Sequence, residues 1–317
     1  MENNKNLISS GGRYESLDSL KFILIFLVIY GHVSEHYICE SQVHVVITNF
    51  IYTFHMPLFI LLSGFFSKKL TTTKFFKGAL KLLLVFLIFD TTYYIIFEDF
   101  NFKEFILTPW FHLWYIPCLL LCRTYILIMR KFNKYYVLLF TFIVAISLDD
   151  MDFSYRTVFA INRTIHFLPF FVTGYYLNNS SIKKIYNTHI VFPISILLIT
   201  LTTICVFFNT EEFSYPMGCY IKSRMDALCY SPFQYLSSII ISLSVVSLCR
   251  FPYFSEYGKK TLFIYIYHMF ILNIIYVIFS DCNIESTPFI CFMASVLTII
   301  ILTVLSDNKI LNRLLLK

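Results

Sequence analysis

Charge is scarce in these 317 residues: Asp, Glu, Lys and Arg together make up 14% of the chain, against about 25% in an ordinary globular protein. No hydrophilic stretch is long enough to fold as a second domain, and the longest loop, about residues 209–230, could not build a core of its own. The nine cysteines include no C-x-x-C pair, which argues against a zinc or thioredoxin-like site. The first sixteen residues are polar and lack the cleavage signature of a signal peptide. Internal repeats, low-complexity segments and a two-fold relation between the halves are also missing. With the composition that follows, these absences exclude a disordered chain, a disulfide scaffold, a collagen-like repeat and a soluble domain hung on one anchor.

What is present instead is apolar surface. Hydrophobic residues reach 58% and aromatics 19%, with 36 Phe and 23 Tyr, more than a soluble interior can absorb. Apolar runs recur at about 17–37, 43–66, 75–97, 111–130, 134–148, 157–177, 189–208, 231–250, 259–280 and 288–306. Their lengths suit a hydrocarbon layer of about 30 Å, which takes about 20 helical residues. The runs are continuous rather than alternating, so they read as helices and not as barrel strands. The sequence thus describes an all-α integral membrane protein: a bundle of about ten transmembrane helices over 17–306, between tails at 1–16 and 307–317. The fifth run is short, as a tilted or partly buried helix would be.

The loops set the orientation. The N-terminal segment and every second loop after it carry 20 basic and 5 acidic residues; the alternate loops carry 4 basic and 13 acidic ones. Basic loops stay on the cytoplasmic side, which places both termini there. The net charge of +6 therefore reflects topology, and a nucleic-acid partner is not implied.

Ionisable groups within apolar spans are costly, and they mark function by default. The first span carries Asp18, Lys21, His32, Glu35 and His36. Eleven helical steps return His32 to within about 20° of Lys21, and Asp18 and His36 flank it at about 40°. A single polar stripe results, charged at the inner end and imidazole-bearing ~16 Å further out. Pro57 should kink the second span, and Ser63 and Gly64 let another helix or a ligand approach closely. Five lysines follow it, Lys68 to Lys81, with no acid among them. Lys74, Lys77 and Lys81 share a helix face that suits phosphates or anionic lipid heads. Arg163 lies towards the outer end of its span, where it could hold a carboxylate or a hydroxylated ligand. His268 is membrane-embedded and could line the cavity of His32. Asp90 needs a partner or a proton, and His112, between Trp110 and Trp114, reads as part of an interfacial belt. Cys118 and Cys122 read as small core residues, and Cys219 and Cys229 flank an outer loop where a disulfide is conceivable. No metal site is indicated.

The segment from Leu17-Asp18-Ser19-Leu20-Lys21 to Gly31-His32 resembles the opening of acyltransferase family 3, and of its fucose 4-O-acetylase-like branch in particular. Lys21 stands where that family usually has Arg, keeping the charge and losing the planar fork. Phe54-His55-Met56-Pro57-Leu58-Phe59 with Ser63-Gly64-Phe65 is similar to the family's second-helix signature. Leu113-Trp114-Tyr115-Ile116-Pro117, Phe167-Leu168-Pro169-Phe170-Phe171 with Gly174-Tyr175-Tyr176, and Thr261-Leu262-Phe263-Ile264-Tyr265 with His268 continue it in order. The extracellular hydrolase-like domain that some members append is not seen.

The resemblance implies an integral-membrane O-acyltransferase of a bacterial cytoplasmic (inner) membrane. It would move an acyl group, acetyl in the first instance, from cytoplasmic acyl-CoA to a hydroxyl of a cell-surface or lipid-linked sugar. Acetyl-CoA is then a co-substrate and no cofactor is tightly bound. The partners are membrane lipid and a carbohydrate acceptor such as exopolysaccharide, O-antigen or a lipid-linked glycan. His32 would be the catalytic group, with Lys21 and Asp18 beside it. Lys74, Lys77, Lys81 and Ser63 would meet the donor, and Glu35, His36, Arg163 and His268 the acceptor. A proton-coupled transporter or flippase of a small or glycan substrate is the alternative, since ten spans and a buried imidazole would serve flux as well.

Overall fold

A computed structural model of the chain describes residues 15–38, 40–97, 108–148, 160–187, 191–208, 224–249 and 251–315. Among them there are helices and connections and no strand. The longer helices, labelled in chain order, are α1 (Glu15–His36), α2 (Gln42–Phe66), α3 (Thr72–Phe97), α4 (Tyr115–Met129), α5 (Lys134–Ser147), α6 (Ile161–Tyr176), α7 (Val191–Phe208), α8 (Arg224–Leu248), α9 (Thr261–Asp281) and α10 (Pro288–Leu305). A 3-10 turn, Phe111–Trp114, leads into α4, and short helices cover Asn179–Asn187, Ser255–Gly258 and Lys309–Leu314.

A helix falls on each apolar run. Six of them, α1, α2, α3, α4 with its leading turn, α9 and α10, are long and apolar enough to cross a membrane. As its short run implies, α5 has only 14 residues. The start of α8, at Arg224, lies inside the stretch read from sequence as a loop. The Cys219–Cys229 bond considered there lies outside the described residues. Large apolar side chains on the outer faces of α3, α5 and α10, among them Leu80, Leu87, Leu139 and Ile300, stay exposed, as lipid contact requires.

Local chemistry shapes the helix ends and interruptions. Ser41 and Thr287 cap α2 and α10 through their side chains, and Pro288 takes the first turn of α10, where no amide is needed. α2 continues through Pro57, which frees the carbonyl of Thr53 from its helical partner. The hydroxyl of Ser238 on α8 donates to that carbonyl at 2.6 Å. The proline therefore costs α2 no unsatisfied group and joins it to α8.

α2 and α6 meet backbone to backbone. A Cβ on Gly64 would fall 2.0 Å from the carbonyl oxygen of Phe171, and one on Gly174 would fall 1.9 Å from that of Leu61. Each glycine therefore lies against the other helix's main chain, as the sequence anticipated for Gly64. This contact sets the angle at which both helices pass the site.

The basic loops collect at one end of the bundle. There Asp18 pairs with Lys21 at 2.6 Å, Arg130 donates to the Leu70 carbonyl at 2.9 Å, and Lys260 pairs with Asp307 at 2.7 Å. At the other end His44 meets the Ser286 carbonyl at 2.6 Å, and the Tyr94 hydroxyl donates to the Thr108 carbonyl at 2.8 Å. Asp90 is buried and accepts the amide of Trp110 at 2.7 Å, which supplies the partner its depth demands. Cys118 and Cys122 are buried core residues, as expected.

Candidate functional site

A cavity of about 150 Å³ opens among α1, α2, α4, α6 and α9. α1 lines it with Ile25, Val28, His32 and Glu35, and α2 with Tyr52, His55, Met56 and Phe59. The α1 set steps by three or four residues and the α2 set falls at i, i+3, i+4 and i+7, so each is one helix face. Arg163 and Phe167 of α6 form another wall. Phe111, His112, Trp114, Tyr115 and Tyr265 complete the lining.

His32 is the centre of its polar contacts, with 15% of its side chain exposed. Its Nδ1 lies 3.6 Å from Glu35 Oε2 and 3.4 Å from the Tyr52 hydroxyl, and Tyr52 donates to the same carboxylate oxygen. A carboxylate beside Nδ1 favours the tautomer protonated there and stabilises the ring when it gains a second proton. Nε2 is left as the basic nitrogen. The ring stacks on His268 with centroids 5.5 Å apart and planes at 13°, and Phe111 lies 4.9 Å away. The α9 hydroxyl of Tyr276 donates to the His32 carbonyl at 3.3 Å. Ring and main chain are both held.

The wall behind His32 consists of more imidazole. His268 is fully buried; its Nδ1 meets the Tyr265 carbonyl at 2.7 Å, and its Nε2 has no hydrogen-bond partner among the described residues. His112 faces it edge-on at 4.6 Å. The interfacial belt read from sequence is corrected here. His112 and Trp110 are 3% and 7% exposed and pack inside the bundle, with Trp110 stacked on Tyr93 at 4.3 Å. Between them Phe111 adopts a φ of 21°. A bulky residue rarely adopts that conformation, and here it sets the Phe111 ring against His32.

Of the residues singled out from sequence, His32, Glu35 and Arg163 line the cavity and His268 backs it. Arg163 lies over the Trp114 ring at 4.8 Å, and Trp114 stacks on Phe167. Ser63 does not reach the lining, but its hydroxyl meets that of Tyr115, which does, at 2.6 Å. Lys21 and Asp18 form their pair nearer the basic end, with Lys21 over Phe66 at 4.8 Å. Lys74, Lys77 and Lys81 are exposed along α3, away from the lining, and His36 lies flat on Tyr276 at 3.9 Å, also outside it. Sequence reasoning passed over Tyr52, His55, Phe111 and Tyr115. The spacing of Tyr52 and His55 on the α2 face could have revealed two of them.

An apolar helix bundle with six helices long and apolar enough to cross a membrane has the form of a multi-pass membrane protein. The chain belongs to acyltransferase family 3, whose acyltransferase-domain model matches residues 14–306. No curated protein and no solved structure matches it. The protein is therefore a membrane-bound acyltransferase.

Proposed function

We propose that this protein moves an acetyl group from acetyl-CoA on the cytoplasmic side of a bacterial inner membrane to a sugar hydroxyl presented from the outer side. In this reading the chain crosses ten times with both termini cytoplasmic, and the basic end of the bundle faces the donor. The observation that carries it is the arrangement at His32: Nδ1 beside Glu35 and Tyr52, and Nε2 left for chemistry in the cavity.

Nε2 takes the proton of the acceptor hydroxyl as its oxygen attacks the thioester carbonyl. The carbon–sulfur bond breaks, and the departing thiolate recovers that proton from the imidazolium. Glu35 stabilises the imidazolium between the two transfers. In a second route His32 attacks first and passes the acyl group on as an acyl-imidazole; acid quenching during turnover with labelled acetyl-CoA separates the two by trapping that adduct. Arg163 over Trp114 offers the acceptor a donor fork and an aromatic face. The cavity is about 150 Å³, a size that in engineered proteins admits one benzene ring, and this favours acetyl over a long acyl chain.

The family assignment turns the choice away from the transporter alternative, and nothing at the site favours flux. The test is mass spectrometry of surface glycans with and without the gene, reading a step of about 42 daltons for each acetyl group. Identical spectra from both strains, together with no thiol release by the purified protein, would overturn the proposal.

A further inference from the structure

At the basic end, Arg123 has no carboxylate partner among the described residues. Arg123 lies two turns along α4 from Tyr115, about 12 Å nearer that end. Its guanidinium turns towards α2, and Nε donates to Ser67 Oγ at 3.3 Å. Ser67 Oγ donates to the Ser63 carbonyl at 2.8 Å, and Ser63 Oγ meets the Tyr115 hydroxyl in the cavity wall at 2.6 Å. A ladder of three hydroxyls thus joins the floor of the His32 cavity to this guanidinium.

Guanidinium has five N–H donors, and only the Nε bond is made to the described residues. No carboxylate among the described residues lies at ion-pair distance from it. Neighbouring elements cannot supply one: α2, α4, α6 and the turn at residues 67–71 contain no Asp or Glu, and the one acid of α3, Asp90, lies towards the other end against the Trp110 amide. Three of the four described acids at this end are already engaged, Asp18 with Lys21, Glu256 with Lys259 and Asp307 with Lys260, and the fourth, Glu15 at the start of α1, makes no ion pair with Arg123. The other cations around the turn act as braces. Lys68 sits over Phe65 at 4.1 Å and donates to the Leu177 carbonyl, and Arg130 donates to that of Leu70. Arg123 is half-buried with four of its five donors left over, and a sheltered charge of this kind calls for an anion.

We infer that Arg123 anchors a phosphate of the acyl donor, so that the thioester arm runs past Ser67, Ser63 and Tyr115 to His32. The inference rests on the acyl-CoA reading of the site and replaces the exposed lysines of α3 as the donor's principal contact. A lipid headgroup offers the same phosphate chemistry, and the experiment separates the two sources.

The test is equilibrium binding of labelled CoA to the purified full chain in nanodiscs, with KM for acetyl-CoA and for acetyl-pantetheine, which lacks the nucleotide phosphates. R123Q should weaken CoA binding and raise KM for acetyl-CoA about tenfold or more, the scale of a lost charge-assisted contact, while KM for acetyl-pantetheine stays within about twofold. R123K, which keeps the charge without the fork, should fall between, and it serves as the readout if R123Q does not assemble. Unchanged CoA binding in both variants overturns the inference. So does a loss confined to nanodiscs containing phosphatidylglycerol and absent from those of phosphatidylcholine alone, which would give the site to lipid. If wild-type protein binds CoA through Arg123 but transfers no acyl group, the anchor stands and the acyltransferase mechanism fails.

Discussion

At the scale of single residues, the proposed chemistry depends on which nitrogen of His32 is free. Glu35 and Tyr52 occupy the Nδ1 side, so removing the imidazole and removing its orienting carboxylate should differ in degree. His32→Ala should cut O-acylation by at least about 10²-fold, the contribution of a positioned general base, while the protein still inserts. NMR of the surface polysaccharide would read this, and wild-type acetylation in that variant would remove His32 from the mechanism. Glu35→Gln should lower kcat on the order of 10²-fold or more by mis-setting the tautomer, with KM for acetyl-CoA nearly unchanged; a pure KM effect would make Glu35 a substrate contact instead. His32 was legible in the sequence, because an imidazole eleven residues from a lysine on an apolar helix has few structural uses. Tyr52 was hidden. An aromatic among 23 Tyr and 36 Phe carries no signal until a neighbouring helix brings it to a carboxylate. His112 was misplaced for a related reason: flanking tryptophans look the same at a lipid interface and inside a bundle, and only the packing of Trp110 on Tyr93 and of His112 on His268 separates the two.

At the scale of elements, the helices themselves were readable, since uninterrupted apolar runs admit little else in lipid. Their closeness was readable only where a glycine marked it. Gly64→Ala or Gly174→Ala places a methyl group against a main-chain oxygen that cannot swing aside. Each should destabilise the fold by roughly 1–3 kcal/mol, seen as a lower melting temperature in detergent, and should reduce activity as the α2 and α6 walls part. A variant with unchanged melting and activity would show that the two helices are free to separate. The contribution of α8 was less visible, because the bond from Ser238 to the Thr53 carbonyl joins residues far apart in the chain and repairs a gap that Pro57 opens.

For the whole molecule, the proposed orientation makes a prediction about its two ends. Cys282, exposed at the end away from the basic loops, should react with a membrane-impermeant maleimide from outside intact cells. A cysteine placed at Lys69 should react only after permeabilisation. The reverse pattern would invert the proposed orientation. What the sequence could not show is that the cavity has a standing back wall. α2 and α6 approach main chain to main chain at Gly64 and Gly174, so the two walls they give the cavity stand or move together. In the proposed reaction donor and acceptor would then enter one chamber from opposite faces, and the membrane would stay sealed only while the passage between them is narrower than either molecule.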